Sequence, residues 1–163
     1  MVLPDMPPME DMKNFGLDVK DQKFKSHVVP KDITAWSDFD QDKYAEAQWH
    51  RRLNGEWWII KGQPFYFPGG CLPFFDFWTM EGGKTPKFRM EALEFFVFWY
   101  LYVERDPCLF GMYDMKCRRL GDTEKVMYII WERTTRYKNV SAGLQSYTDK
   151  QALKNFTRLA RGS

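Results

Sequence analysis

The chain has 163 residues, of which 44% are apolar and 18% aromatic, so it can bury one sizeable core and does not require two domains. Its 24 basic and 22 acidic residues leave a formal charge of +2 and form no long block of one sign, which argues against a nucleic-acid partner. The aromatic content, with 14 Phe, 8 Tyr and 7 Trp, exceeds what an interior of this size readily holds. We therefore expect some rings to contact a partner.

The cysteine pattern predicts no metal site. Cys71, Cys108 and Cys117 form no CxxC pair, and the chain has only 2 His, so zinc is not expected. Three reduced thiols and one disulfide between two of the three cysteines are both compatible with the spacing. The longest apolar run, Phe95 to Val103, is far shorter than the about 20 residues of a membrane-spanning helix. The N-terminal residues lack the basic region and apolar core of a secretion signal.

The first part of the chain, residues 1–37, combines four prolines and many charges with no sustained apolar period. Such a segment cannot form a core of its own. We predict that residues 1–37 are an extended N-terminal arm and that residues 38–163 form one domain.

A short helix is predicted next, over Asp38 to Arg52, because Asp38 or Asp40 can cap its start and Asn54-Gly55 can end it. From Glu56 onward, β-rich runs alternate with turn signals. The predicted strands are Glu56–Lys61, Phe74–Glu81, Lys87–Leu93, Phe95–Arg105, Leu109–Arg118, Lys125–Thr134 and Ala142–Thr148.

The last segment, Asp149 to Arg161, places apolar residues at helical spacing. The expected fold class is therefore mainly β: a single antiparallel barrel with a short N-terminal helix, a C-terminal helix and the extended arm.

The turn and strand Asn54-Gly55-Glu56-Trp57 resemble the Gly-x-Trp opening of the lipocalins. Gly62, Pro64 and Cys71 follow in the order found in the lipocalin domain of the violaxanthin de-epoxidases, chloroplast enzymes of the xanthophyll cycle. Tyr128-Ile129-Ile130-Trp131, Gly143 and Tyr147-Thr148 are similar to the last strands of that family. The resemblance covers about residues 53–149 and implies a lipocalin-like barrel.

The catalytic acids of that family are missing in the alignment that retains Cys71. Its aspartates then fall on Phe67 and Gly70, which cannot protonate an epoxide oxygen. A second alignment places Phe75-Asp76 there and makes Asp76 the catalytic acid, but it gives up Cys71. No Gly-x-Ser-x-Gly, P-loop, dinucleotide or His-Glu-x-x-His motif occurs, which also lowers the expectation of an enzyme.

The run Phe95 to Val103 has no polar alternation, so as a strand it would be covered on both faces. One face would then point into the barrel and could contact a ligand, and the other would contact a partner. The candidate ligand-binding residues are Trp57, Phe96, Phe98 and Tyr100. The candidate partner-binding residues are Phe95, Val97, Trp99 and Leu101.

A basic cluster is a further candidate surface, for anionic lipid heads or simply for solvent. It comprises Lys116, Arg118 and Arg119, with Arg133 and Arg136 further along the chain.

Three functions follow from these patterns. The first is a noncatalytic subunit of a larger membrane protein complex, which binds other subunits through its arm and aromatic wall. The second is a carrier of a carotenoid, chlorophyll or lipid, and the third is a diverged xanthophyll-modifying enzyme. The resemblance implies a chloroplast protein peripheral to the thylakoid, in a photosystem-type complex. Neither a metal nor a definite cofactor is predicted.

Overall fold

The computed structural model describes residues 13–15, 27–80, 86–112, 122–143, 145 and 148–160. The chain divides into two compact units. Unit 1 comprises Met1–Phe77 with Lys87–Tyr113, and unit 2 comprises Trp78–Pro86 with Asp114–Ser163.

Helices dominate the described residues. The elements run in the order β1 (Lys13–Phe15), α1 (Asp38–Asn54), β2 (Glu56–Ile60), β3 (Gln63–Phe67), α2 (Leu72–Asp76), α3 (Met90–Phe98), α4 (Asp122–Arg136) and α5 (Asp149–Ala160). Two 3-10 turns, Ile33–Ala35 and Gly69–Cys71, and one π-helical turn, Trp99–Val103, complete the described elements.

The sheet of unit 1 is a hairpin with one added strand. β2 and β3 pair antiparallel, from Glu56 opposite Phe67 to Ile60 opposite Gln63. Lys61 and Gly62 turn the chain with φ of 51° and 77°, as a type I′ hairpin turn requires at both positions. β1 pairs with β2 in parallel.

Aromatic rings fill the core of unit 1. Phe67, Phe75 and Phe96 are fully buried. Phe75 lies 5.9 Å from Phe67 and 6.0 Å from Phe96 between ring centroids, in edge-to-face contacts. Phe88 completes the cluster from the segment before α3, 5.5 Å from Phe75. Edge-to-face geometry aligns the positive edge of one ring with the negative face of the next.

Unit 2 has a smaller core beneath α4. Trp78 contacts Tyr128 edge-to-face at 5.5 Å and Trp131 at 6.1 Å between ring centroids, and its indole N–H donates to Glu124 at 3.3 Å. The buried carboxylate of Glu132 pairs with Arg136 one turn later, at 3.1 Å.

The predicted β-barrel is wrong. Among the described residues, the structure has a small sheet of three strands, and helices α2, α3 and α4 occupy much of the chain that was expected to form the wall. The predicted helices before and after the barrel correspond to α1 and α5, and the first predicted strand corresponds to β2.

The largest error concerns Phe95–Arg105, which forms the end of α3 and the π-helical turn instead of a strand. Leu93, Phe96 and Tyr100 are buried, whereas Glu91, Glu94 and Phe98 are exposed. Both sets follow the i, i+3, i+7 spacing of a helix. A continuous apolar run does not distinguish a buried strand from a buried helix, and the preceding Met-Glu-Ala-Leu favours helix.

The predicted strand Lys125–Thr134 lies within α4. Lys125, Tyr128, Ile129 and Glu132 are buried at the i, i+3, i+4, i+7 spacing of a helix. The β-branched and aromatic residues suggested a strand, but packing of one helical face outweighs that preference.

The remaining predicted strands also fail where they are described. Phe74 to Asp76 belongs to α2, the segment Lys87–Leu93 enters α3 at Met90, and Leu109 to Met112 has no regular structure. The described part of Ala142–Thr148 contains no strand. Residues 113–118, the rest of the predicted strand that begins at Leu109, lie outside the described residues.

Candidate binding surface on the first helix

Helix α1 is defined at both ends by its own sequence. The Ser37 hydroxyl oxygen accepts a hydrogen bond from the backbone N–H of Asp40 at 3.2 Å and caps the first turn. At the other end, Gly55 adopts φ of 75° and its N–H donates to the carbonyl of Arg51 at 2.9 Å. Acidic residues lie in the first turn and basic residues in the last, which suits the helix dipole.

Polar contacts connect the inward side of α1 to the rest of unit 1. The Arg51 guanidinium donates to Glu56 at 2.6 Å and to Gln48 at 2.6 Å, and it lies 3.7 Å from the Asp76 carboxylate. Glu56 in turn accepts a hydrogen bond from the indole N–H of Trp58 at 3.1 Å. Arg51 therefore connects α1 to β2 and α2 together.

The segment before α1 joins the same polar network. The backbone N–H of His27 donates to Asp76 at 3.2 Å, and the His27 ring contacts the Tyr44 hydroxyl. Trp36 meets the Tyr44 ring edge-on at 5.8 Å between centroids. An open groove lies along this side of α1, and Lys43 is among its lining residues.

A glycine allows the end of α1 to approach the 3-10 turn at Gly69. A Cβ at this position would lie 2.2 Å from the carbonyl oxygen of Arg52. Only glycine fits at such a distance, so the backbone itself fixes where α1 ends against unit 1.

The outward side of α1 carries large apolar side chains in solvent. Phe39, Trp49 and Leu53 are 75%, 47% and 63% exposed, and α1 has no buried residue. At 3.6 residues per turn, these three positions fall within about 80° of one another around the helix. We call this set the α1 ridge.

Acidic side chains accompany the α1 ridge. Asp42 and Glu46 are exposed and project between its apolar positions, and Asp38 lies at its N-terminal end. Arg52 stands 5.0 Å from the Trp49 ring centroid, beside the ridge. Lys43 and His50 are also exposed on this side, so the surface is apolar with charged residues of both signs around it.

Tyr66 supports the turn after α1. Its hydroxyl donates to the carbonyl of Asn54 at 2.7 Å. Burial raises the pKa of Tyr66 to about 12, with smaller electrostatic contributions from Arg105, which lowers it, and Cys71, which raises it. The phenol stays neutral and keeps this hydrogen bond at ordinary pH.

The candidate catalytic acid Asp76 is buried beside a cation. Its side chain is 1% exposed, and Arg51 and the N–H of His27 approach its two oxygens. A guanidinium stabilises the charged carboxylate, whereas a general acid must be protonated. The position does not favour the role that the enzyme alternative assigns to Asp76.

The four candidate ligand-binding residues do not form one wall. Phe96 and Tyr100 are buried in the aromatic core, and the Tyr100 hydroxyl donates to the carbonyl of Gly70 at 3.2 Å. Trp57 is half-buried on β2 beside Tyr66, at 5.4 Å between ring centroids. Phe98 is exposed and stacks on Tyr102.

The four candidate partner-binding residues point inward more than outward. Phe95 and Leu101 are buried, and Val97 and Trp99 are half-buried. The indole nitrogen of Trp99 is buried and has no hydrogen-bond partner among the described side chains and backbone. A helix places these four residues on different sides, so the alternation expected of a strand is absent.

The structure describes two of the five residues of the predicted basic cluster. Arg133 and Arg136 lie at the C-terminal end of α4, where both face the ring of Tyr137, at 5.8 and 4.6 Å from its centroid. Lys116, Arg118 and Arg119 lie outside the described residues.

Cys71 and Cys108 are present as thiols, the first buried and the second exposed, so a disulfide between these two is not formed. Cys117, and with it any predicted disulfide that involves it, lies outside the described residues. Within the described ranges, His, Cys, Asp and Glu side chains form no group of three that could hold a metal. No described helix has the length and apolar character needed to cross a bilayer.

The α1 ridge is absent from the sequence predictions, although its signal is present in the sequence. Projected on a helix, Phe39, Trp49 and Leu53 share a side that also carries acids, and this pattern is visible once the predicted helix Asp38 to Arg52 is extended by one residue. The continuous apolar run after Glu94 was the stronger signal for a binding surface, but its residues belong mainly to the core.

Comparisons with known proteins give no match. The chain matches no protein-family model, no curated protein and no solved structure.

Proposed function

We propose that this chain is a noncatalytic subunit of a larger protein assembly and that it binds a neighbouring protein through the α1 ridge. The observation that supports the proposal is the exposure of Phe39, Trp49 and Leu53 on one side of a helix. Single exposed apolar residues are common, but a set aligned on one side and rimmed by charge is typical of an interaction surface.

The attachment of α1 supports this role. Arg51 holds the inward side of the helix against Glu56 and Asp76, and Gly69 fixes the approach of its C-terminal end. A helix held in this way presents its outward side without reorganisation, which lowers the entropic cost of binding.

The subunit alternative is preferred to the carrier because two of the rings proposed to hold a ligand occupy the core. Phe96 contacts Phe74 at 4.9 Å and Tyr100 at 6.2 Å between ring centroids. The chloroplast and thylakoid setting was implied only by the lipocalin resemblance, and no comparison supports a photosynthetic role for this chain. The proposed function therefore does not depend on that setting.

A site-specific photocrosslinker tests the proposal. The full chain, with benzoylphenylalanine in place of Phe39, is expressed in its native host, irradiated, and analysed by native gel and mass spectrometry. We expect a crosslink to one defined protein within a large complex, and we expect Leu53→Gln to reduce the yield.

Benzoylphenylalanine at Phe110 is the matched control, since this ring is even more exposed than Phe39 but lies away from α1 in sequence. If position 39 gives no more crosslinking than position 110, and the chain migrates alone, the proposal is wrong.

A further inference from the structure

We propose that the proline-rich segment near the start of this chain, residues 3–8, binds in the open groove beside α1. The groove belongs to unit 1, and Ala35 and Ala47 are among its lining residues. The proposed contact goes beyond the proposed function, because it uses a different side of α1 from the α1 ridge. Three features support it: the aromatic lining of the groove, the pattern of the segment and the distance that the segment can span.

Two aromatic rings form a fixed wall of this groove. Trp36 meets the ring of Tyr44 edge-on at 5.8 Å between centroids, and the Tyr44 hydroxyl contacts the His27 ring. The carbonyl of Trp36 accepts a hydrogen bond from the Gln41 side chain at 3.0 Å. The groove has a volume of about 670 Å³, and rings held in this way can bind a ligand without rearrangement.

An open groove lined by aromatic rings suits a proline-rich segment. Proline favours the polyproline II conformation before binding, so its rings pack on aromatic side chains at a low cost in conformational entropy. Residues 1–12 lie outside the described residues, but their sequence contains Pro4, Pro7 and Pro8. Pro4 and Pro7 have the Pro-x-x-Pro spacing that such grooves bind.

In the polyproline II conformation, the segment would also be amphipathic. With three residues per turn, positions three apart share one edge. Two adjacent edges would be entirely apolar and would carry Leu3, Pro4, Met6 and Pro7. Asp5 and Pro8 would share the third edge. The two apolar edges can therefore face the rings of the groove while Asp5 stays in solvent.

The charges of the groove do not oppose this contact. Asp40 and Lys43 line it and supply one charge of each sign, and the Asp40 carboxylate accepts a hydrogen bond from the Ser37 hydroxyl at 2.6 Å. The other acidic residues of α1 lie about 100° or more around the helix from the groove. They are Asp38, Asp42 and Glu46.

The segment is attached close enough to reach the groove. β1 pairs in parallel with β2, with Lys13 opposite Trp58, so Lys13 lies toward the end of the sheet where β2 follows α1. Through β2 and α1, Ala47 is at most about 27 Å from Lys13. Pro4 precedes Lys13 by nine residues, which span up to about 30 Å when extended. Pro4 can therefore reach the groove of its own chain.

Attachment to the same chain makes even a weak contact effective. A segment joined to its site through a few residues has an effective concentration on the order of 1 mM. An intrinsic dissociation constant on the order of 0.1 mM then leaves the groove mostly occupied. A free peptide at micromolar concentration would hardly bind, so the test uses the full chain.

A photocrosslinker within the segment tests the contact directly. The full chain, with benzoylphenylalanine in place of Leu3, is irradiated at micromolar concentration and separated into monomer and dimer bands. Each band is digested with trypsin and analysed by mass spectrometry. We expect the monomer to contain a crosslink from position 3 to one of the two tryptic peptides that carry the groove, residues 32–43 and 44–51.

Two proline substitutions form a matched pair for this experiment. Pro7→Ala removes a ring from an edge that faces the groove, and we expect the crosslink yield to fall at least about threefold. Pro8→Ala removes a proline from the third edge and should change the yield little. Neither substitution alters a residue of a described helix or strand. In the groove, Trp36→Ser should lower the yield as Pro7→Ala does, whereas Trp49→Ser on the α1 ridge should not.

Three results would overturn the inference. The first is a monomer with no crosslink to residues 32–51, and the second is an equal loss of yield for Pro7→Ala and Pro8→Ala. The third is a crosslink found only in the dimer, because the groove would then hold the segment of a second copy. None of these results affects the proposed function, which is tested by the crosslinker at Phe39.

Discussion

The interior of unit 1 and the α1 ridge use the same kinds of side chain in opposite ways. Phe67, Phe75 and Phe96 are fully buried and contact other rings, whereas Phe39 and Trp49 are largely in solvent beside charged side chains. An excess of aromatic residues therefore does not by itself identify a binding surface. The neighbours of each ring determine whether it stabilises the fold or remains accessible to a partner.

The strongest way to test this difference is to remove a ring from the interior. Phe96→Ala leaves a cavity in contact with Phe74 and Phe75, and we expect the free energy of unfolding to fall by about 3–5 kcal/mol. Urea denaturation followed by tryptophan fluorescence measures the change. Phe98→Ala, on the exposed side of the same helix, is the control and should cost much less; equal losses would contradict the assignment of core and surface.

The next effect concerns the polar attachment of α1. Arg51→Met removes the cation beside the buried Asp76 carboxylate, and we expect the free energy of unfolding to fall by about 3 kcal/mol. Differential scanning calorimetry should show a lower Tm. Asp76→Asn in the same chain removes the carboxylate charge and should restore part of the loss.

Lys43→Met is the matched control for Arg51→Met, because Lys43 is exposed on the same helix. We expect it to change stability by less than about 0.5 kcal/mol. A Tm for Arg51→Met as high as that of this control would show that the ion pair does not hold α1.

A smaller loss of stability is expected from substitution of Gly69, where the backbone of the 3-10 turn approaches the backbone at the end of α1. Gly69→Ala would bring a Cβ to 2.2 Å from the carbonyl oxygen of Arg52, and the required shift should cost about 1–3 kcal/mol in urea denaturation. Gly143→Ala meets no atom within 4 Å and should be nearly neutral. If the two substitutions have the same effect, α1 does not approach the turn as described.

The contribution of Tyr66 should depend on pH. Because its pKa is about 12 in the folded chain against 10.0 for the ordinary phenol, unfolding releases a proton between these values. The stabilisation is fully present below pH 10 and is lost as the pH rises toward 12. Tyr66→Phe should therefore show a shallower fall in the urea midpoint over this range than wild type. If the urea midpoints of Tyr66→Phe and wild type fall in parallel with rising pH, the burial of the phenol is contradicted.

The smallest effect on stability is expected at the α1 ridge. The double substitution F39S/L53Q alters side chains that are already in solvent, so the free energy of unfolding should change by no more than about 0.5 kcal/mol. A loss comparable to that of Phe96→Ala would show that these residues belong to the core. Circular dichroism during urea denaturation makes the comparison.

Some elements could be predicted because their signals are local. Asn54-Gly55 indicates the end of α1, and the apolar spacing after Asp149 indicates α5. The start of α1 was predicted at the right place, but its cap is Ser37 and not Asp38 or Asp40. The strand beginning at Glu56 was predicted from its β-rich residues and the glycine that follows them. The α1 ridge could also have been found, since it depends only on the helical positions of Phe39, Trp49 and Leu53.

Other elements could not be predicted in the same way. The rings from Phe95 to Val103 are consistent with a buried strand or a buried helix, because neither pattern exposes a polar side. As a strand, this segment would have formed a barrel wall with separate ligand and partner faces. The helix instead places Phe96 and Tyr100 in the core and leaves Phe98 in solvent.

By itself, the sequence determined where α1 ends, where β2 begins and the amphipathic character of α5, because glycines, β-rich runs and spacing act over a few residues. It did not indicate β3, which pairs with β2 through the turn at Lys61 and Gly62. Only the tertiary structure decided that the longest apolar run is helical, that Asp76 is buried beside Arg51, and that Phe39, Trp49 and Leu53 remain exposed. These features depend on which surfaces meet in the folded chain. Burial is a property of that packing, and local sequence preferences do not specify it.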